Sequence, residues 1–133
     1  MSTKIFVNLA VKDLTKSLHF YTELGYSVNP KFTDDNGGCV VISEEIYVML
    51  LTEPFFATFT GKTIIDAARG IEVINALSAD TRDEVDQLVD KALAAGGTVA
   101  KPPIEMDFMY SRSFHDLDGH AWEAVYMDAT QVR

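Results

Sequence analysis

The strongest constraint on this chain is a pattern of elements that occurs twice. Residues 4–11 form a run rich in Ile and Val that reads as a buried strand. Asp13 follows as a helix cap. Leu14, Leu18, Tyr21 and Leu24 then recur at helical spacing until Gly25 offers a left-handed stop. Extended runs at 26–33, 39–43 and 46–52 come next, separated by Asp34-Asp35-Asn36-Gly37-Gly38 and by Ser43-Glu44-Glu45, both turn-forming.

The second half spells the same order. An extended run at 71–79 leads to a helix opened at Asp80 or Thr81, where Thr81-x-x-Glu84 fits a capping box. Its apolar stripe is Val85, Leu88, Val89, Ala92 and Leu93, stopped by Gly96-Gly97. Strands are expected at 98–100, 109–115 and 120–127, the last two joined through Asp116-Leu117-Asp118-Gly119, whose Asp-Gly signals a tight turn. Asn8 precedes Asp13 by five residues and Asn75 precedes Asp80 by the same interval.

This internal repeat predicts an α+β fold of two tandem β-α-β-β-β modules, residues 1–53 and 70–133, within one domain spanning 1–133. The intervening 54–69 contains Pro54-Phe55-Phe56-Ala57-Thr58-Phe59, too apolar for a free tether. It is expected to pack across the subunit or against a partner.

Charge narrows the function. A net charge of −9 leaves no basic footprint for nucleic acid and argues against docking on anionic lipid. The apolar stretch 5–11, broken by Asn8, is shorter than a signal peptide's apolar segment, and no run approaches the ~20 residues of a membrane span. A cytoplasmic protein is the expectation. Cys39 is alone, which excludes an intrachain disulfide and a Cys-rich zinc site.

Val11-Lys12-Asp13-Leu14 followed by Phe20-Tyr21-x-x-Leu24-Gly25 resembles the entry motif of the vicinal oxygen chelate superfamily. That superfamily holds glyoxalase I, bleomycin-resistance proteins and extradiol dioxygenases. The second half agrees, with Ala76-Leu77-Ser78-Ala79-Asp80, Ala95-Gly96-Gly97, and Phe114-His115-Asp116-Leu117-Asp118-Gly119-His120-x-Trp122-Glu123. The last stretch is similar to the family's Phe-x-Asp-Pro-Asp-Gly-x-x-Trp-Glu hairpin, with Leu117 in place of Pro. Within the superfamily the chain is most similar to the bacterial lactoylglutathione lyase-like group.

The resemblance implies curled sheets around a cleft and commonly a homodimer. In metal-using members, His, Gln or Glu from the first and last strands of each module hold a divalent ion. Carried onto this chain, those positions fall on Phe6, near Leu50, on Ile74 (or Val73 with a one-residue slip) and on Glu123. Three of them are apolar, so neither a metal nor another cofactor is expected.

Glu123 is the candidate catalytic residue, a carboxylate able to act as a base or to meet a cationic ligand, unless Arg112 or Ser113 simply satisfies it. Hairpin register sets it near Ser113, with Met109 and Ser111 on the same face. Tyr110 and Arg112 then take the other face unless a bulge reverses the order. Asn8 shares the cleft face with Phe6 and Ala10, and a buried amide there needs a partner or a ligand. Phe6, Leu50, Ile74, Trp122, Met106, Phe108 and Met109 suggest an adaptable apolar pocket. His115, Asp116, Asp118 and His120 read as turn chemistry on solvated residues. Cys39 reads as a small buried hydrophobe and His19 as a surface residue.

The expected function is metal-independent binding of a small molecule, cationic or aromatic, oriented by Glu123 and Asn8 beside Trp122. The rival is a glyoxalase-like lyase or isomerase with Glu123 as proton shuttle and an atypical metal site. A third reading is a regulatory or interaction module that makes contact through Phe55, Phe56 and Phe59.

Overall fold

Backbone ladders decide where each repeat begins and which residues share a face. The computed structural model describes residues 2–128 and 130, and the chain clusters into two units that divide between Asp66 and Ala67.

The first unit runs β1 (Ile5–Val11), α1 (Leu14–Glu23), β2 (Ser27–Asn29), β3 (Gly37–Val41), β4 (Ile46–Thr52) and α2 (Glu53–Ala57). Its sheet has the order β1-β4-β3-β2, with β1 parallel to β4 and the other pairs antiparallel. Asp13 caps α1, its carboxylate accepting the Lys16 N–H at 3.0 Å. Phe20 and Tyr21 of α1 are buried, as are Val40, Val48 and Leu50 of the sheet. The strand expected over 26–33 stops at Asn29, because Pro30 has no N–H for a ladder and opens a 3-10 turn, Pro30–Phe32. The apolar 54–59 segment begins as α2, which packs on β1 and β4 of its own unit.

The second unit runs β5 (Ile74–Ala79), α3 (Arg82–Ala94), β6 (Thr98–Val99), β7 (Ile104–Met106), β8 (Met109–His115) and β9 (Ala121–Met127). Its order is β5-β9-β8-β6, and β7 also pairs with β8. α3 covers one face, its Val85, Val89 and Ala92 fully buried. Thr81 caps α3, accepting the Glu84 N–H at 3.1 Å, while the Glu84 carboxylate accepts the Asp80 N–H at 3.2 Å. No helix among the described residues is long and apolar enough to cross a membrane.

With the cap at Thr81, the repeat realigns by one residue. Phe6 and Ile74 each stand seven residues ahead of their caps, so Asn8 corresponds to Ala76 and not to Asn75. Adjacent strand residues point to opposite faces, so this single step decides which residues each module presents.

Candidate functional site on the second sheet

Two opposed faces of the second sheet can be told apart by what α3 touches. Arg112 donates through one guanidinium nitrogen to Asp86 and Asp90 of α3, at 2.9 Å each. The Tyr110 hydroxyl donates to the same Asp86 oxygen at 2.6 Å. These bonds hold the Asp86 carboxyl below its ordinary range, Tyr110 contributing most and Arg112 next, and they push the Tyr110 phenol up. Tyr110 and Arg112 therefore face the helix.

The β8–β9 ladder runs in continuous register from Met109↔Met127 to His115↔Ala121, without a bulge. Met109, Ser111, Ser113 and Glu123 accordingly lie on the far face, away from α3. Ile74 of β5 joins them through its pairing with Ala121, and Ala76 stands beside Glu123. Trp122 goes the other way. It pairs with Phe114, faces α3 and is 2% exposed, so it is a core residue rather than a neighbour of Glu123 on the far face.

Glu123 is met by Lys101, whose ammonium lies 3.2 Å from its carboxylate. Arg112, the partner weighed from the sequence, is on the opposite face. The Glu123 side chain is 15% exposed and that of Lys101 42%. Strand geometry explains how Lys101 arrives. β6 leaves β8 at Phe114 and β7 rejoins it at Ser111, so residues 100–103 leave the ladder at the level of Arg112 and Ser113. From that edge, the lysine must cross Ser113 to reach Glu123 on the next strand. On the same face of β8, the hydroxyls of Ser111 and Ser113 are buried and have no hydrogen-bond partner among the described residues.

The first unit presents a different far face. Phe6 is exposed and stacks on Tyr47 with centroids 4.8 Å apart. Asn8 is exposed too, and its amide donates locally to the Phe6 carbonyl at 3.1 Å, so it is not the buried amide expected. Leu50 does not join them. A Cβ on Gly38, its ladder partner, would meet Leu18 of α1 at 2.5 Å, so Leu50 and Gly38 face the helix and Leu50 is buried. The residues on Asn8's face are Met49 and Cys39. Burial pushes the Cys39 thiol up, which disfavours the thiolate a nucleophile needs.

Asp116 is buried rather than solvated, because its carboxylate ties the β8–β9 turn by accepting the N–H groups of Asp118 at 3.1 Å and His120 at 2.9 Å. Among the described residues, no group of three or more His, Cys, Asp or Glu is placed to hold a metal ion. Lys101 escaped the sequence reading because Lys-Pro-Pro reads as loop, and only the strand break shows where such a loop reaches.

A family model for the glyoxalase/bleomycin resistance protein/dioxygenase superfamily matches residues 5–124. The chain belongs to that superfamily. Among solved structures, a hypothetical protein, SA1046, from S. aureus is 33% identical, with a TM-score of 0.78 over 95% of each chain. A superfamily enzyme from Burkholderia phytofirmans PsJN is 20% identical, with a TM-score of 0.77 over 95% of this chain and 99% of that one. The fosfomycin resistance protein FosX from Mesorhizobium loti is 16% identical, with a TM-score of 0.70 over 98% and 97%. No curated protein matches the chain significantly.

Metal-using superfamily members need N or O donors at four positions on the far faces. Here the realigned positions carry Phe6, Met49, Ile74 and Glu123, so three of four have no donor able to hold a hard or borderline divalent ion. The fourth is engaged by an ammonium. This residue set does not fit the superfamily's metal.

Proposed function

We propose that this superfamily member binds a small organic molecule on the far face of its second sheet, with Glu123 orienting it and no divalent ion between them. The observation that carries this reading is the polar focus itself. Glu123, Lys101, Ser111 and Ser113 converge on a face whose other members include Ile74, Met109 and Val125. A few convergent polar groups in an apolar surround are what small-molecule sites share. The rest of the face suits an aliphatic or aromatic moiety, and the flexible Met109 adapts to either.

Fragment screening by amide chemical shifts tests the reading. Saturable shifts confined to β8 and β9 and weakened in Glu123→Gln are expected. Shifts confined to the first unit, or none from any fragment, would overturn it. Calorimetric titration of chelator-treated protein with nickel, zinc, manganese and ferrous iron tests the metal-free part. One ion bound per chain and lost in Glu123→Gln would replace this reading with the glyoxalase-like one.

A further inference from the structure

We propose that Lys101 and the hydroxyls of Ser111 and Ser113 form a receptor for the carboxylate or phosphoryl oxygens of a ligand. The proposal rests on the reading that the far face of the second sheet is the binding face, and it names the chemistry that face selects.

An inventory of donors carries it. A lysine ammonium has three N–H donors and no acceptor, and Glu123 occupies one of them here. Ser111 is 1% exposed and Ser113 4% exposed, and neither hydroxyl has a partner among the described residues. A buried hydroxyl left unbonded costs free energy until an acceptor arrives, and charge-assisted acceptors are the strongest. Ser113 is the direct cross-strand neighbour of Glu123, and Ser111 lies one step further along the same face. The unspent donors of three side chains thus share one patch of sheet.

The alternatives fit less well. A cationic ligand, favoured at long range by the net charge of −9, must first expel the ammonium from Glu123. A divalent ion faces the same obstacle and finds apolar side chains at the other three positions. An oxyanion leaves the ion pair in place, accepts the spare N–H groups of Lys101 and satisfies the hydroxyls. Glu123 then acts as a positioning residue that holds the ammonium on this face, one strand from Ser113.

The test follows the amide resonances of Ser113 and Glu123 in the intact chain at constant ionic strength. Sodium acetate, sodium phosphate and methylammonium chloride are titrated separately. Saturable shifts with acetate identify a carboxylate receptor, and shifts with phosphate a phosphoryl one. Lys101→Arg is expected to keep the response and Lys101→Met to weaken it about tenfold, with Ser113→Ala also weaker. The arginine and serine variants decide the matter should the methionine variant misfold.

A response undiminished in Lys101→Met, or one given by methylammonium alone, overturns the receptor. Indole separates the two levels of the argument. If indole shifts these amides while acetate and phosphate do not, the oxyanion assignment falls and the binding face stands. If none of the probes does, both fall.

Discussion

Leu18 and Asp86 occupy the same place in the two halves of the chain, five residues beyond the helix cap. Leu18 covers Gly38, whose Cβ would collide with it, and Asp86 holds the guanidinium of Arg112. Gly38 and Arg112 are likewise equivalent in their ladders, opposite Leu50 and Ala124. One module seats its helix by closing a leucine onto a glycine, the other by a hydrogen-bonded ion pair with Tyr110 attached. The far faces diverge in the same way. Met49 and Cys39 stand where the second half has Glu123 and Ser113. The fold repeats because ladder and cap spacing repeat. The chemistry does not, because either kind of filling satisfies the same geometry, and fold alone therefore says little about function.

The largest break in this comparison is expected at the hairpins. Gly119 has φ +96°, and a Cβ there would lie 2.7 Å from the Ala68 Cα. Gly119→Val should cost about 3–5 kcal/mol in urea unfolding, since strain and a backbone collision add. Glu44→Ala, in the first half's hairpin, where no residue has positive φ, should stay within about 0.5 kcal/mol.

The two ways of seating a helix come next. Arg112→Met should cost about 1–2 kcal/mol, because the mostly buried guanidinium and its two hydrogen bonds are lost while Asp86 and Asp90 stay in reach of water. Adding Asp86→Leu and Tyr110→Phe should bring stability back to within about 0.5 kcal/mol of the parent. Failure of that rescue would show that the halves are not interchangeable solutions.

On the far face, Met49→Glu should cost about 1–2 kcal/mol, and Met49→Gln less, because Asn29 rather than a lysine-bearing loop flanks Cys39.

The smallest effect is acid sensitivity. Asp86 has a lowered folded-state pKa, so its contribution is fully present above the unfolded value of about 3.9 and is lost as pH falls through the folded one. Its side chain is nearly half exposed, so screening keeps the contribution below about 1 kcal/mol. Asp86→Asn should flatten the acid limb of a stability–pH curve by that amount, and no change there would remove the pairing from the ledger.

Caps, glycine stops and the Asp-Gly turn made most of the architecture readable from residues alone. Asp13, Gly25, Thr81-x-x-Glu84 and Gly96 each act through the chain's own backbone, so local chemistry reports them. The site was read less well, for a reason of parity. Choosing between Asp80 and Thr81 as the cap moves the alignment by one residue, and one residue exchanges the faces of a strand. A step of one residue likewise separates Leu50, the residue named, from Met49 on the far face, and Trp122, set beside Glu123, from the face that Glu123 occupies. Ser111, Ser113 and Met109 came out on the right strand face because the tight turn at Gly119 fixes the β8–β9 register from within the hairpin. Lys101 depends on a strand break, which no local pattern announces.

That break has a consequence for how the protein behaves in company. An outer strand with free N–H and C=O groups invites another chain to zip onto it. Here the edge of the second sheet opposite β5 is cut into pieces of two and three residues, with Pro102 and Pro103 between them. On the first sheet, the edge opposite β1 ends after three residues at Pro30. Prolines donate no hydrogen bond, so these two edges resist edge-to-edge pairing, while β1 and β5 form the opposite edges. Pro102 also steers the residue before it away from helical backbone, so the device that guards the border also sets the direction of Lys101.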